Sequence, residues 1–298
     1  MTERPVLLVF GLGYTGLAIA RDALARGWAV RATVRARPSA GDPAAPAGVA
    51  VHAFADVDPA GVTHVVSTIP PADGGDPVLA RYGAALAALP GLRWAGYLST
   101  TGVYGDRGGG WVDEATPPAP TGPRGALRLA VEQAWTATFG ARCAVDLFRV
   151  AGIYGPGRAP FAAVRAGQAT RIVKPGHAFG RIHRDDIAAA VVAAAAQDRP
   201  PGARVLNLTD DLPAENAEVI AEAARLLGLP PPPAVPFAEA EAGMSAMARS
   251  FWAENRKVAS RTTQAALGLA WRYPTYREGL AAILAEEDGQ GAGQQGEV

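Results

Sequence analysis

The sequence predicts an α/β fold with a doubly wound parallel sheet, and three observations predict it. Residues 6–10 form a continuous apolar run, which is typical of a strand buried on both faces. A glycine-rich turn, residues 11–16, follows this run directly and opens a segment with helical spacing. Short apolar runs and amphipathic segments then alternate as far as residue 150, and right-handed crossovers wind such a chain into a parallel sheet covered by helices on both faces.

The elements are predicted in order from hydrophobic periodicity and from turn residues. The first helix, for example, ends where Gly27 supplies the left-handed residue that follows many helices. The predicted strands are residues 6–10, 29–34, 49–53, 63–68, 96–100, 145–150 and 204–208. The predicted helices are residues 15–26, 77–89, 125–138, 159–166, 186–196, 213–227 and 275–285.

The pattern predicts one main domain and a smaller lobe. Residues 1–158 form the main domain, and residues 179–208 return to it. Residues 159–178 and 209–288 form the lobe that covers the carboxyl ends of the strands, where substrates bind in such folds. The Gly/Gln-rich tail, residues 289–298, is expected to be disordered.

Composition narrows the class of function. The 298 residues are 49% hydrophobic, and 28 basic residues balance 28 acidic ones, so the chain lacks the positive charge expected of a nucleic-acid binder. The single Cys143 excludes an intramolecular disulfide, and the four histidines show no metal-ligand spacing. Neither a signal peptide nor an apolar stretch of about 18 residues is found, so we expect a cytoplasmic protein that binds no membrane and no metal.

The turn after the first strand has the pattern G-x-G-x-x-G. The pattern alone is a weak signal, but here it joins a buried strand to a helix, which is its place in dinucleotide-binding folds. Gly11 then permits a tight turn, Gly13 lets the backbone approach a pyrophosphate, and Gly16 lets the helix pack closely, with Tyr14 and Thr15 between them. We therefore predict a dinucleotide site; a purely structural turn is the alternative.

The end of the second strand predicts which dinucleotide is bound. NAD sites usually offer an acidic residue to the ribose 2′-hydroxyl there, about 20 residues after the turn. Residues 31–35 read Arg-Ala-Thr-Val-Arg and contain no acid. Arg35, helped by Arg31 or Arg37, could instead pair with a 2′-phosphate, which favours NADP over NAD. A solvated surface arginine is the alternative.

Further motifs give the chain a resemblance to a known family. They are Ser-Thr-Thr-Gly-Val-Tyr-Gly at residues 99–105, Arg-Val-Ala-Gly-Ile-Tyr-Gly-Pro-Gly at 149–157 and Ile-His-Arg-Asp-Asp-Ile at 182–187. With the glycine turn, they resemble the extended short-chain dehydrogenases/reductases, the NAD(P)-dependent epimerase/dehydratase family. Residues 255–257 and 273–279 resemble an atypical branch of it. The resemblance covers nearly the whole chain and implies a Rossmann-type fold.

The resemblance also implies positions for cofactor contacts. Asp56, after the third strand, resembles the acid that meets the adenine amine in related folds, although it could simply cap a turn. Thr68 and Ile69 lie in a segment that resembles the one beneath the cofactor's ribose.

The family's chemistry rests on a Ser/Thr and on a Tyr-x-x-x-Lys pair, in which the tyrosine exchanges a proton with the substrate and the lysine holds the nicotinamide ribose. Thr100 matches the Ser/Thr, but the tyrosine position is Arg124 and the lysine position is Arg128. Arginine keeps its proton at any working pH, so Arg124 cannot replace the tyrosine as acid/base. Arg128 could still bind the ribose, and Arg124 could polarise a carbonyl or bind an anion; both could also be surface residues.

A displaced acid/base is therefore expected. The candidates are Tyr104, just beyond Thr100, and Asp113 with Glu114 in the Gly-rich segment that follows. The alternative is that Tyr104 packs in the core and that the two acids are solvated. His183 beside two aspartates also suggests catalysis, but an aspartate that caps the following helix explains this cluster better.

The resemblance places three basic residues in segments that face the substrate. Arg158, Arg181 and Lys174 would suit a phosphorylated or nucleotide-linked substrate, with surface positions as the alternative. His64 lies within a buried strand pattern and is predicted to be a core histidine.

Two function hypotheses follow. The first is an NAD(P)-dependent oxidoreductase or epimerase that acts on a carbonyl or nucleotide-sugar-like small molecule. The second is a non-catalytic NADP(H)-binding redox sensor or scaffold, which the Arg124 and Arg128 replacements favour. Helix pairing in the family is compatible with a homodimer.

Overall fold

The computed structural model describes residues 4–36, 45–72 and 74–294. Its strands are β1 (Val6–Phe10), β2 (Ala29–Val34), β3 (Val49–Ala53), β4 (His64–Ser67), β5 (Trp94–Thr100), β6 (Trp111–Val112), β7 (Ala144–Val150), β8 (Gly152–Tyr154), β9 (Arg171–Val173), β10 (Arg181–His183), β11 (Gly202–Leu208), β12 (Ala234–Pro236) and β13 (Lys257–Val258). Its α-helices are α1 (Tyr14–Ala25), α2 (Pro77–Ala87), α3 (Pro123–Phe139), α4 (Phe161–Arg165), α5 (Arg184–Ala195), α6 (Asn216–Leu226), α7 (Phe237–Glu241), α8 (Ala246–Trp252), α9 (Arg261–Leu267) and α10 (Tyr276–Gln294).

Seven parallel strands form the main sheet in the order β11-β7-β5-β4-β1-β2-β3. The chain winds outward from β1 to β3, and then in the other direction from β4 to β11. The strand order therefore reverses between β1 and β4, and a crevice opens there at the carboxyl ends of the strands. The predicted doubly wound parallel sheet, a Rossmann-type α/β fold, is confirmed.

The two faces of the sheet pack against different helices. Leu7 and Val9 of β1 belong to one core cluster with residues of α1 and α5, whereas Leu8 and Phe10 belong to another with residues of α2 and α3. Successive side chains of a strand point to opposite faces, so β1 must be apolar throughout. This explains the continuous apolar run at the start of the sequence.

A buried ion pair fixes helix α3 against the sheet. Nη2 of Arg149, on β7, lies 2.8 Å from Oε2 of Glu132, on α3. The hydroxyl of Ser99, on β5, donates to Oε1 of the same carboxylate at 2.6 Å. Three elements thus meet at one buried carboxylate, which positions the middle of α3 beside the carboxyl end of β5.

The smaller lobe has its own core, in which Phe161, Ile220 and Leu280 pack together. Its predicted boundary, residues 209–288, is wrong in one respect, because Leu267 and Trp271 belong to the core of the main sheet. The segment after β13 returns to the main domain, and α9 packs against α5 and β11. Strands of two or three residues, such as β8 and β10, were not predicted, because they are too short to show a periodicity.

The carboxyl-terminal segment differs from the sequence prediction. Helix α10 continues to Gln294, so the disorder predicted from Gly289 is wrong for residues 289–294. Leu280 and Ile283 pack in the core of the lobe and hold this helix in place. Once a helix has formed, each residue added to its end gains one hydrogen bond. Residues 295–298 lie outside the described part of the chain.

Within the described ranges, no helix combines the length and the apolar character that crossing a membrane requires.

Candidate functional site

The three glycines of the turn between β1 and α1 have different surroundings. Gly11 has a φ of +93°, and a Cβ there would lie 2.7 Å from Oγ1 of Thr68. A Cβ on Gly16 would lie 2.1 Å from the carbonyl oxygen of Gly11, so the helix packs directly on the turn. A Cβ on Gly13 would meet nothing within 4 Å. The turn is closed on the protein side and open at Gly13, which fits a bound diphosphate.

The segment after β4 supports this turn from the neighbouring strand. The hydroxyl of Thr68 donates to the carbonyl oxygen of Gly11 at 2.8 Å. The side chain of Ile69 lies against the same glycine, with Cγ1 only 2.9 Å from the position of a Cβ there. Thr68 therefore holds the turn with its hydroxyl, beside the crevice where β1 and β4 diverge.

The residues predicted to recognise the adenosine half lie at the ends of β2 and β3. Arg35 is exposed and has no hydrogen-bond or ion-pair partner among the described residues. Arg31 does not assist it, because its Nη1 donates to the carbonyl oxygens of Asp58 and Ala60. Asp56 is exposed in the turn after β3. Arg37 lies outside the described residues, so Arg35 is the available cation at this place in the described chain.

A cavity of about 800 Å³ lies between the carboxyl ends of the strands and the smaller lobe. We call it the cleft. Its lining includes four predicted site residues: Thr100, Arg124, Arg128 and Arg181. Pro70 and Pro71 also line it, and they directly follow the segment that packs on Gly11. The cleft therefore adjoins the glycine turn.

Thr100 and Arg128 are both held in place by backbone groups. Oγ1 of Thr100 accepts a hydrogen bond from the amide of Gly102, which leaves the hydroxyl hydrogen free to donate. Nη1 of Arg128 donates to the carbonyl oxygen of Leu98 at 2.7 Å and to the hydroxyl of Tyr97 at 2.9 Å. Burial raises the pKa of Tyr97 to about 12, so this phenol stays neutral. Arg128 therefore has a fixed position at the edge of the cleft.

Arg124 lies one helical turn before Arg128, on the exposed part of α3. Its guanidinium group lies over the ring of Phe251, 5.3 Å from the ring centre. Phe251, on α8, is itself 55% exposed. Arg124 is thus a cation stacked on an aromatic side chain of the smaller lobe.

Tyr104 is not part of the cleft. The short 3₁₀ turn Thr101–Tyr104 points its ring into the protein, where it is fully buried and its hydroxyl donates to Oδ1 of Asn207 at 2.8 Å. Burial raises the pKa of this phenol above its usual value. The prediction that Tyr104 acts in catalysis is wrong, because its hydroxyl has no access to a substrate.

Asp113 and Glu114 also lie away from the cleft lining. Oε1 of Glu114 accepts a hydrogen bond from the hydroxyl of Thr263 at 2.6 Å. Asp113 accepts one from the hydroxyl of Thr116, within its own turn. The pairing of β6 with β13 holds this loop, and neither acid lines the cleft, so neither is placed to serve as the displaced acid/base.

The acid that does line the cleft was not among the predicted site residues. Glu254 is the one carboxylate among the described residues that line it. Its Oε1 accepts a hydrogen bond from the hydroxyl of Thr121 at 2.7 Å, and its Oε2 lies 2.6 Å from Nη1 of Arg256. Arg256 also donates to the carbonyl oxygen of Gly105 at 3.0 Å. The only signal in the sequence was that residues 255–257 resemble the family.

The three basic residues expected to face the substrate take different places. Arg181 lines the cleft and is largely buried, with Nη1 donating to the carbonyl oxygens of Phe179 and Ala214. Lys174 is not among the cleft-lining residues, because its ammonium group donates to the carbonyl oxygen of Trp252. Arg158 also lies outside the cleft and stacks on Tyr14 of the glycine turn.

The other histidine and aspartate predictions have mixed outcomes. His64 is a core histidine as predicted: Nδ1 lies 2.8 Å from the hydroxyl of Thr63, and burial lowers its pKa to about 4. The predicted aspartate cap is wrong. His183 caps α5 by accepting from the amide of Asp185, while Asp186 accepts from two amides of the 272–273 turn.

The charges of the cleft lining are unbalanced. Four arginines line it against a single carboxylate in the described part of the chain; they are Arg124, Arg128, Arg181 and Arg256. Low-dielectric walls strengthen the field of such charges. The cleft can therefore hold an anionic ligand.

The fold has clear relatives among solved structures, although neither a protein-family model nor a curated protein matches the chain. A functionally unknown conserved protein from Silicibacter pomeroyi is 44% identical, with a TM-score of 0.84, over 95% of this chain and 99% of that one. The human epimerase family protein SDR39U1 (isoform 2) with NADPH is 21% identical, with a TM-score of 0.74, over 93% of this chain and 98% of that one.

A third structure is MoeE5 in complex with UDP-glucuronic acid and NAD. It is 24% identical to this chain, with a TM-score of 0.71, over 92% of this chain and 96% of that one. The chain thus belongs to the same family as the Silicibacter pomeroyi protein, and its fold is that of the NAD(P)-dependent epimerases and dehydratases, the extended short-chain dehydrogenases/reductases.

Proposed function

We propose that this protein is an NADP(H)-dependent oxidoreductase of the epimerase/dehydratase type, and that it acts on an anionic carbonyl compound or a nucleotide-sugar-like substrate. The observation that carries the proposal is that the glycine turn and the cleft lie next to each other, linked through residues 68–71. The open glycine turn, the segment of Thr68 and Ile69, and the cleft with Thr100 and Arg128 adjoin one another at the carboxyl ends of the strands. The human relative with NADPH and MoeE5 with NAD support a nicotinamide dinucleotide.

Arg35 is the reason for proposing NADP rather than NAD. It is exposed at the end of β2, without a partner among the described residues. A guanidinium group can form two parallel hydrogen bonds to a phosphate, and no acid in β2 competes for the ribose.

Within the cleft, Thr100 and Arg128 take the positioning roles. Bound NADPH would supply a hydride to the substrate carbonyl. Arg128 would hold the nicotinamide ribose through Nε and Nη2, which have no partner among the described residues, since Nη1 is held by Leu98 and Tyr97. The free hydroxyl hydrogen of Thr100 would donate to the substrate oxygen and orient it.

Glu254 is the group proposed to exchange the proton. Reduction of a carbonyl adds one proton to the oxygen for each hydride added to the carbon, and arginine cannot supply it. Glu254 lines the same cleft, and its hydrogen bonds to Thr121 and Arg256 fix its orientation. As a carboxylate paired with Arg256, it would accept the proton of the substrate hydroxyl during oxidation; during reduction it would pass to the carbonyl oxygen a proton that it first takes up from solvent.

The excess of arginine in the cleft supports an anionic substrate. Arg124, stacked on Phe251, would bind its phosphate or carboxylate at the mouth of the cleft. UDP-glucuronic acid in the MoeE5 structure is a ligand of this charge. A small molecule is thus the proposed partner. A homodimer and a cytoplasmic location stay predictions.

One observation favours a second function, a non-catalytic NADP(H) sensor or scaffold. Arg124 replaces the family's catalytic tyrosine, and its stacking partner Phe251 is exposed, so a cofactor-dependent contact with another protein could form there. A sensor requires different affinities for the oxidised and reduced cofactor.

Calorimetric titration with NADP⁺, NADPH, NAD⁺ and NADH tests the shared part of both functions. We expect NADP(H) to bind more tightly than NAD(H). A second assay then separates the enzyme from the sensor. It tests carbonyl compounds with and without a phosphate or carboxylate as substrates and measures the absorbance of NADPH over time. Turnover of charged compounds supports the enzyme, and a different affinity for NADP⁺ and NADPH without turnover supports the sensor. If no dinucleotide binds, both functions are excluded.

A further inference from the structure

Two guanidinium groups lie over the ring of Tyr14, the residue at the first position of α1 in the glycine turn. The guanidinium carbon of Arg158 lies 4.1 Å from the ring centre, and that of Arg184 lies 4.9 Å from it. Neither arginine belongs to the lining of the cleft. The contact therefore places two cations from distant segments at the turn itself.

The loop that carries Arg158 is pressed onto this tyrosine. The hydroxyl of Tyr14 donates to the carbonyl oxygen of Pro156 at 3.0 Å. Gly155 has a φ of +150°, and a Cβ there would lie 2.6 Å from that hydroxyl. Only glycine permits this approach, so the position of the loop over the turn is built into the backbone.

The two cations differ in their electrostatic balance. Nε of Arg184 lies 3.1 Å from Oδ1 of Asp185, which compensates its charge. The guanidinium group of Arg158 is exposed and has no ion-pair partner among the described residues. Arg158 is thus an uncompensated charge that the ring of Tyr14 holds in a defined place, and such preorganisation favours the binding of an anion.

The turn beneath Arg158 offers free hydrogen-bond donors. No side chain caps the start of α1, where Gly13 is the N-cap, and the first amides of a helix have no partner within it. Gly13 is also the open side of the turn. A ligand with two linked phosphates could contact the amides with one group and Arg158 with the other.

We propose that Arg158 binds the diphosphate of the dinucleotide and closes the glycine turn over it. The proposal rests on the proposed function, since it needs a dinucleotide in the turn. It changes the predicted role of Arg158 from substrate binding to cofactor binding. A nucleotide-sugar also contains a diphosphate, but the contact with Tyr14 and the position outside the cleft favour the cofactor.

The test is calorimetric titration of the full chain and three variants. Arg158→Ala removes the charge, and Arg158→Lys keeps it without the bidentate geometry. Arg165→Ala is the matched control, since Arg165 is also an exposed arginine over an aromatic ring, 5.8 Å from the ring centre of Phe161, but lies on α4 in the smaller lobe. The ligands are NADP⁺, NAD⁺, adenosine 2′,5′-bisphosphate and UDP-glucose.

We expect Arg158→Ala to weaken NADP⁺ and NAD⁺ by the same factor, about ten-fold, because both carry the diphosphate. Adenosine 2′,5′-bisphosphate keeps only one phosphate of the diphosphate, so Arg158→Ala should weaken it less than it weakens NADP⁺. Arg158→Lys should recover part of the loss, and Arg165→Ala should match the wild type. The loss should shrink as ionic strength rises.

Unchanged dinucleotide affinity in Arg158→Ala would overturn the proposal, and so would a loss confined to UDP-glucose. In both cases wild-type binding of NADP⁺ would still support the proposed function. Failure of the wild type to bind either dinucleotide would instead reject the function, and this proposal with it. Melting temperatures of the variants show that each is folded before it is titrated.

Discussion

The hydroxyl of Thr121 donates a hydrogen bond of 2.7 Å to Oε1 of Glu254, across 133 residues of sequence. Thr121 lies two residues before helix α3 of the main domain, and Glu254 lies two residues after α8 of the smaller lobe. The contact holds a carboxylate in the cleft that also contains Arg124 and Arg128. An acid of the smaller lobe thus shares the cleft with two arginines of α3.

Glu254→Gln should abolish turnover and leave cofactor binding intact. The amide keeps the size of the side chain but cannot exchange a proton, and loss of a general acid/base typically costs about 10²–10⁴-fold in rate. The measurement is NADPH oxidation with a substrate from the panel, together with the dissociation constant for NADPH. Glu239→Gln, an exposed residue of α7, is the control. If turnover persists in Glu254→Gln, another group exchanges the proton.

Arg35→Ala should weaken NADP⁺ binding about ten-fold and leave NAD⁺ binding unchanged, because only NADP⁺ has the 2′-phosphate. Calorimetric titration with each cofactor gives the ratio of the dissociation constants for NADP⁺ and NAD⁺. Arg21→Ala, an exposed arginine of α1, should change neither affinity. An equal loss for NAD⁺ and NADP⁺ would show that Arg35 does not read the 2′-phosphate.

The glycine turn offers a matched pair of substitutions. Gly13→Ala should lower the free energy of unfolding by no more than about 1 kcal/mol, because its Cβ meets nothing within 4 Å and only the N-cap preference for glycine over alanine is lost, yet it should weaken dinucleotide binding by filling the open side. Gly16→Ala should lower the free energy of unfolding by about 1–3 kcal/mol, because its Cβ would lie 2.1 Å from the Gly11 carbonyl oxygen. Urea unfolding measures the stability of the two variants, and titration with NADP⁺ measures their affinity for the dinucleotide. Normal binding by Gly13→Ala would contradict a ligand in the turn.

His64 should make the protein sensitive to mild acid. Burial lowers its pKa from 6.5 to about 4, so the unfolded state binds a proton that the folded state does not. The stability it contributes is complete above pH 6.5 and is lost as the pH falls towards 4, at about 1.4 kcal/mol per pH unit inside that window. His64→Gln should remove the part of the pH dependence of unfolding that comes from His64 and leave the contributions of other groups.

The measurement for His64 is the free energy of unfolding of both proteins from pH 4 to pH 8. Burial also lowers the pKa of His183 to about 4, so His64→Gln should retain part of the acid sensitivity. Two parallel curves, with no difference in slope between pH 6.5 and 4, would contradict the prediction.

The sequence by itself determined the features that depend on neighbouring residues. The strand of residues 6–10, the glycine turn and the first helix follow from a continuous apolar run, three glycines and helical spacing within about 20 residues. The register of Arg124 and Arg128 is equally local, because residues four apart lie on one side of a helix. Thr100 was found in the same way, from the motif that ends its strand.

Only the tertiary structure decided which side chains meet in the cleft. Tyrosine and glutamate can both act as acid/base residues, so residue type alone did not separate Tyr104 from Glu254. A 3₁₀ turn buries Tyr104, whereas Glu254, 150 residues later in the chain, lines the cleft. Arg158 reaches Tyr14 through a fold contact between segments 144 residues apart. Such contacts depend on how sheet and lobe pack together, and hydrophobic periodicity reports which face of an element is buried but not which residue it meets.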